Sequence, residues 1–173
     1  MDVPPDLFRL VMGHFATGVS VVTAFDGERP AGITVNALSS VSLQPALVMV
    51  ALDRRRFITP TVRASGRYAV NVLGEGDQAL SDCFAGAEVK PGRNDFCGAA
   101  WRPGHTGLPL LERAIATLEC TTVETFSAGD HDLFIGRVDA LASGPGDPMP
   151  LLYFRRRYLR IERAATSRVE GKE

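Results

Sequence analysis

The side chains with most chemistry to offer lie in a few short stretches. Along AGITVNALSSVS, residues 31–42, Thr34 and Asn36 project to one face of a predicted strand and Ile33 and Val35 to the other, because strand side chains alternate. Ser39, Ser40 and Ser42 follow, with hydroxyls and backbone amides expected where the strand gives way to a loop. Fixed donors and acceptors beside an apolar floor suit a planar heterocycle with polar edges. An ordinary solvated strand face with a Ser-rich turn has the same spacing. Arg54, Arg55 and Arg56 come next, and Thr59 stands at the start of a predicted helix. Guanidinium forks beside the free amides of a helix N-terminus attract phosphate, although a basic loop in water reads the same way. His131 stands in the predicted tight turn Gly129-Asp130-His131-Asp132. An imidazole there can hydrogen-bond a bound heterocycle or change protonation near neutrality, yet most turn histidines are simply exposed. The run Tyr153-Phe154-Arg155-Arg156-Arg157-Tyr158 interleaves aromatic and basic groups, a pattern shared by surfaces that bind single-stranded nucleic acid. No second such run exists, so a local site or a dimer edge is the better reading.

Charge and motif content narrow the chemistry further. Nineteen basic against twenty acidic residues leave a formal charge of -1, so no global field draws the chain to nucleic acid or anionic lipid. GEGDQA, residues 74–79, matches the G-x-G-x-x-G/A dinucleotide fingerprint, with Asp95 about twenty residues on. That motif works only in a parallel βαβ unit whose second strand delivers the acidic residue. Here the segment before Asp95, EVKPGRN, holds no strand, and the preceding strands are joined by hairpins, so Gly74 and Gly76 read as turn residues. There is no H-E-x-x-H, no G-x-S-x-G and no P-loop, and the Cys and His positions lack zinc spacing, so no metal site is expected. Cys83, Cys97 and Cys120 form no C-x-x-C pair and are odd in number. At least one therefore lacks an intramolecular partner, and a reducing cytoplasm is the simpler reading. The first twenty residues carry Asp2 and Asp6 and no basic stretch before an apolar run, which speaks against a secretory signal. The longest apolar stretch, Ala46 to Leu52, is far shorter than the roughly twenty residues of a membrane-crossing helix.

These groups must be positioned by a mostly β framework. A chain of 173 residues fits one compact domain that buries roughly 70% of its unfolded surface without needing a disulfide or a metal. Asp6 is expected to cap a short helix that aligns Leu7, Phe8, Val11, Met12 and Phe15, with His14 near its end. GVSVVTAF and AGITVNAL then form two strands around the turn DGERP. ALVMVAL, apolar on both faces, is expected to lie centrally in the sheet. Residues 57–64 make helical turns that Ser65-Gly66 stops, RYAVNVL is a strand, and GDQALSDCF a helix with Leu80, Cys83 and Phe84 on one side. Residues 86–109 read as a long loop-like excursion. AIATLECTTVETF, HDLFIGRVDAL, LLYF and YLRI return to strand, making about seven strands in all. The single domain covers 1–173, with a core over 7–162 and a polar tail, 164–173, expected to fray.

In order and spacing, the stretches FRLVMGHFATGVSVVT, AGITVNALSSVSLQPALVMVAL, SGRYAVNVL, LSDCFAG, LPLLERAIATLEC, GDHDLFIGRV and PLLYFRRRY resemble the flavin reductase-like family. Its fold is the FMN-binding split barrel, a split β-barrel with a few short peripheral helices, and its best-known members are reductase components of two-component monooxygenases. The resemblance implies an NAD(P)H:flavin oxidoreductase that takes a hydride from NADH or NADPH, passes it to FMN or FAD, and supplies a separate oxygenase. A flavin-binding electron-transfer or sensor protein without nicotinamide turnover is the alternative. The resemblance also implies residue roles. Thr34, Val35, Asn36, Ser39 and Ser40 would line the ring and ribityl chain, and the loop with Asp53, Arg54, Arg56 and Thr59 would hold the phosphate. Phe84 and Ala85 would sit near the ring or tail, while His131, as the catalytic candidate, Tyr153 and Arg155 would border the nicotinamide. Such proteins are homodimers with flavin near the subunit interface. Two departures stand out: Phe57 replaces a small hydroxyl residue near the phosphate, and Arg156 replaces the glycine of the usual R-G-x-Y.

Overall fold

The computed structural model describes residues 2–86 and 96–162. Twelve strands and three short α-helices make up the described chain. The helix α1 spans Pro5–Met12. It starts on Pro5, whose missing N–H costs nothing in a first helical turn, and Pro4 rather than Asp6 is its N-cap. Asp6 lies inside the first turn and pairs with Arg9 at 3.0 Å, so the expected Asp6 cap is corrected. α1 buries none of its residues.

Seven antiparallel strands form the main sheet: β2 (Ser20–Asp26), β3 (Arg29–Val35), β4 (Leu38–Leu43), β5 (Ala46–Asp53), β6 (Arg67–Val72), β9 (Ala116–Ala128) and β10 (His131–Ser143). Their spatial order is β3-β2-β6-β9-β10-β5-β4. The two end strands, β3 and β4, follow each other in the chain with only Asn36 and Ala37 between them. Ends of a sheet joined by two residues must lie close together, so the sheet curls into a barrel. The Ala51 amide donates to the Ala37 carbonyl at 3.1 Å across that seam.

The expected hairpin of β2 and β3 is present, with Asp26 paired to Arg29 around Gly27 and Glu28. Two strand expectations need correction. β5 pairs with β10 on one side and β4 on the other, one place in from the sheet's end rather than at its centre. Ser39, Ser40 and Ser42 are not in a loop: they belong to β4, held to Met49, Val48 and Leu47 of β5. Two small sheets supplement the seven strands. β1 (Thr17–Gly18), β11 (Leu152–Phe154) and β12 (Arg157–Leu159) form one, and β7 (Trp101–Pro103) pairs with β8 (Pro109–Leu111) in the other. The described part of the 86–109 excursion is therefore partly strand, with a 3-10 turn at Phe96–Gly98. Its residues 87–95, with Asp95, and the tail 164–173 lie outside the described residues.

The helix α2 (Ile58–Ser65) ends where expected, with Gly66 at φ 65° as its left-handed cap. α3 spans Gln78–Gly86. β6, which precedes the GEGDQA stretch, is antiparallel to both β2 and β9, so the dinucleotide reading has no parallel unit to rest on. Asp77 of that stretch is buried, accepts the Gly74 amide at 3.1 Å and pairs with Arg113 at 2.6 Å.

One core fills the barrel around Val22, Val50, Leu52, Tyr68, Val70 and Phe134. A second, outside it, packs Val21, Leu73, Phe84, Phe96 and Leu151 beneath α3. Leu80 and Cys97 pack against that second core, and Cys83 is joined to Cys97 by a disulfide. Two of the three cysteines are thus paired where a reducing compartment was the simpler reading; Cys120 is the one left without a disulfide partner, and burial pushes its thiol up to about 12. A polar knot also stitches the layers. Buried Asn71 donates to the Val21 carbonyl (3.1 Å) and to Thr23 Oγ1 (3.0 Å) and accepts the Leu111 amide (2.8 Å), so its burial leaves neither end of the amide unpaired.

Candidate active site

At the seam between β3 and β4 the barrel opens into a cavity of about 270 Å³. Its lining includes Thr34, Val35, Asn36, Asp53, Arg56, Ala85 and His131, seven of the side chains singled out from the sequence. Three segments meet there because of pairing: β3 runs out at Val35, β5 ends at Asp53, and the register sets His131, the first residue of β10, directly opposite Asp53. His131 thus opens a strand rather than sitting in the turn, which consists of Gly129 and Asp130. A second cavity of about 180 Å³ shares Thr34, Asn36 and Ala85 with the first and is bordered by Ser81, Tyr153 and Tyr158. The two form one groove from Asp53 to Tyr158, within the roughly 300 to 1,000 Å³ range of small-molecule sites.

At the polar end the loop after β5 is fixed by its own hydrogen bonds. Arg55 folds back on Asp53, donating from Nη2 at 2.7 Å and from its amide at 2.9 Å. Those contacts hold the Asp53 carboxyl well below the usual carboxylate range. Arg54 donates its amide to the Asp130 carbonyl at 3.0 Å, which ties the loop to the β9–β10 turn. Arg55 is thus spent on Asp53, while Arg56 reaches the cavity; among the described residues the Arg56 guanidinium is in no ion pair. A cation so placed suits a phosphate. His131 Nδ1 donates to Asp130 Oδ1 at 2.7 Å, and the same contact keeps the Asp130 carboxyl low. With Nδ1 committed, Nε2 is the ring nitrogen left for a ligand.

At the aromatic end, Tyr153 and Tyr158 pack edge to face with centroids 5.4 Å apart. Tyr158 donates to Asp82 at 2.8 Å and meets Ser81 Oγ at 2.9 Å, and the Thr34 hydroxyl donates to the Ser81 carbonyl at 2.7 Å. α3 is thereby clamped to both sides of the groove. Ser81 and Asp82 were not singled out as site residues from the sequence, and Tyr158 entered only as the end of the aromatic and basic run. The usable signal is that Ser81 and Ala85 stand four apart on one helix face.

Other singled-out residues sit outside the lining. Thr59 is only 2% exposed, and its hydroxyl donates to the Asp53 carbonyl at 2.7 Å, bracing the loop from beneath. Phe84 is wholly buried, edge to face with Phe96, and supports the groove floor. Ser39 and Ser40 are exposed on β4, with the Ser39 hydroxyl donating to the Ser40 carbonyl. Arg54 is exposed on the loop, and Arg155 stands beyond Tyr153 at the tip of the β11–β12 hairpin. Among the described residues no cluster of His, Cys, Asp and Glu could hold a metal ion.

The profile of the family described as "Flavin reductase like domain" matches residues 12–162. The chain belongs to that family. As a flavin reductase-like domain it is 34% identical, over 96% of its length and 87% of the relative's, to the reductase subunit HsaB of a flavin-dependent monooxygenase from Mycobacterium tuberculosis. It is 38% identical, over 90% of its length and 84% of the relative's, to the NADH-dependent FMN reductase AsuE2 of Streptomyces nodosus subsp. asukaensis. Among solved structures it is similar to the NADH:FAD oxidoreductase SgcE6 of Streptomyces globisporus, in complex with NAD and FAD fragments. That likeness has a TM-score of 0.86 at 32% identity and covers 96% of this chain and 99% of the other. The domain is accordingly a split β-barrel of the flavin reductase type.

Proposed function

We infer that the chain is a flavin reductase: it passes a hydride from NADH or NADPH to FMN or FAD and supplies the reduced flavin to a monooxygenase. The observation that carries this reading is the groove itself, with a phosphate-seeking loop at one end, paired tyrosines at the other and a polar seam between them. A bound flavin supplies the hydride acceptor and a reduced nicotinamide the hydride. The chain's own part is to bind, orient and shield. Arg56 and the amides near Asp53 hold the flavin phosphate, while Thr34, Val35, Asn36 and Ala85 line the ring. His131 and Tyr153 border the face on which the nicotinamide stacks. Holding two rings in contact removes translational and rotational freedom, an effect that can supply up to roughly 7 to 11 kcal/mol. In its imidazolium form, with Nδ1–H held by Asp130, His131 can also donate from Nε2 to negative charge at the ring edge, as donors in an oxyanion site do.

The working unit in this reading is a homodimer. It is supported by apolar side chains that the single chain leaves bare: Leu7, Phe8, Val11 and Phe15 along and just after α1, and Leu141 on β10. Cytoplasmic residence goes with the role, because reduced nicotinamide cofactors are supplied there; the described residues contain no helix long and apolar enough to cross a membrane.

Anaerobic mixing tests the assignment. Combined with FMN or FAD and either nicotinamide, the chain should rapidly remove the oxidised flavin's visible absorbance. Flavin that binds but bleaches only with another electron donor would transfer the protein to the electron-transfer or sensor class.

A further inference from the structure

A third cavity, of about 360 Å³, lies between α1 and the tip of the β11–β12 hairpin. Asp6, Arg9, Leu10, Gly13, Arg155 and Arg156 line it. Three guanidiniums therefore face one carboxylate. The Asp6–Arg9 pair is solvent-exposed on both sides, 96% and 65%, and such a pair is largely screened, so it leaves a net cationic pocket. The hairpin tip is docked in place by the Arg155 amide, which donates to the Gly13 carbonyl at 2.9 Å.

The backbone points to a ligand as well. Arg155 and Arg156 are the two central residues of the turn, at φ 48° and 63°. A two-residue hairpin turn with both residues left-handed is the kind that favours Asn-Gly. Side chains with a Cβ resist that conformation, and glycine does not. Two consecutive arginines at such positions are a conformational expense with little packing return: both are exposed, Arg155 lies over the Phe154 ring at 6.0 Å, and Arg156 has no ring contact among the described residues. Strain of that kind persists where it serves a site. The family resemblance leads one to expect glycine at position 156, so the added cation is this chain's own.

We propose that Arg9, Arg155 and Arg156 form a phosphate subsite, which takes a phosphate group from the adenosine part of the nicotinamide dinucleotide. The proposal rests on the reading that the nicotinamide enters beside Tyr153. Arg155 lies two residues along the same chain segment, roughly 7 Å further on, where the phosphates of a dinucleotide trail away from its stacked ring. Guanidinium forks match phosphate oxygens two at a time, which a lone lysine or backbone amide does not. The phosphate has two possible origins, the pyrophosphate common to NADH and NADPH or the 2′-phosphate found only in NADPH.

Calorimetric titration of the full chain in phosphate-free, low-salt buffer decides the matter without any turnover. Adenosine 2′,5′-bisphosphate, ADP and adenosine serve as probes, against the wild type and Arg156→Gly. The variant relieves the turn, so its thermal midpoint should be equal or higher, and weaker binding cannot be blamed on misfolding. Loss of roughly five- to tenfold in affinity for the bisphosphate alone assigns the 2′-phosphate, and an equal loss for ADP assigns the pyrophosphate. Adenosine that binds as well as the phosphorylated probes, or a variant that binds all three like the wild type, overturns the proposal. If the titration behaves as expected but no nicotinamide bleaches flavin, the subsite stands and the reductase reading falls.

Discussion

His131 is the side chain on which the chemistry of the groove can be tested most directly. It lines the cavity, its only hydrogen-bond partner among the described residues is Asp130, and its side chain is 41% exposed. Removing it therefore leaves no buried group unpaired. His131→Ala should lower kcat/KM for flavin reduction about tenfold, the equivalent of one hydrogen bond to a charged group, while the thermal midpoint stays put. Anaerobic stopped-flow absorbance and a melting curve read the two quantities. Unchanged turnover would remove His131 from the site. Residue chemistry was partly legible beforehand: Thr34, Val35, Asn36, Asp53, Arg56, Ala85 and His131 do meet. Thr59 and Phe84 show the limit. A threonine at the start of a helix and a phenylalanine near a predicted site look the same in sequence whether they face a ligand or brace its support, and only burial separates the two.

At the scale of elements, the groove depends on how closely α3 approaches β3. Gly32 makes that approach possible: a Cβ at this position would stand 2.8 Å from Phe84 Cε1 and 3.2 Å from Val21 Cγ1. Phe84 is packed against Phe96 and cannot simply swing away. Gly32→Ala must then push α3 outward, and with it Ser81 and Ala85, which border the groove. Overpacking of this sort costs about 1 to 3 kcal/mol. The expected result is a lower melting temperature together with roughly fivefold weaker flavin binding, read by fluorescence quenching. A variant that melts early but binds flavin normally would uncouple α3 from the site. α3 itself was visible in the sequence, as were α2 and its Gly66 stop. The β4 strand was not, because Ser39, Ser40 and Ser42 carry loop-like chemistry, whereas their pairing is set by the backbone of β5.

On the scale of the whole molecule, the bare apolar surface is the feature without an internal explanation. α1 holds Leu7, Phe8, Leu10, Val11 and Met12 at about half exposure or more, and Phe15 just beyond it is 70% exposed. A lone chain in water gains nothing from that display. The chain should sediment at twice its 18.6 kDa. Val11→Asp combined with Phe15→Asp should shift it toward the single-chain mass while the barrel stays folded, because α1 buries none of its residues within the chain. Analytical ultracentrifugation with circular dichroism checks both halves, and a wild type at single-chain mass would sink the dimer.

Local sequence determined the strand-rich character, the β2–β3 hairpin, the three short helices and the residues able to bind a polar ring. Each of these is written in side-chain alternation, helical spacing or turn chemistry, within a few neighbours of itself. Tertiary structure alone decided that β3 and β4 close the barrel, that His131 faces Asp53 across β5 and β10, and that Cys83 meets Cys97. It likewise chose which arginine turns to the groove and which to its own neighbour. Those outcomes depend on register and on loops that return the chain from far away, and a contact between residues dozens of positions apart leaves no periodic trace along the chain.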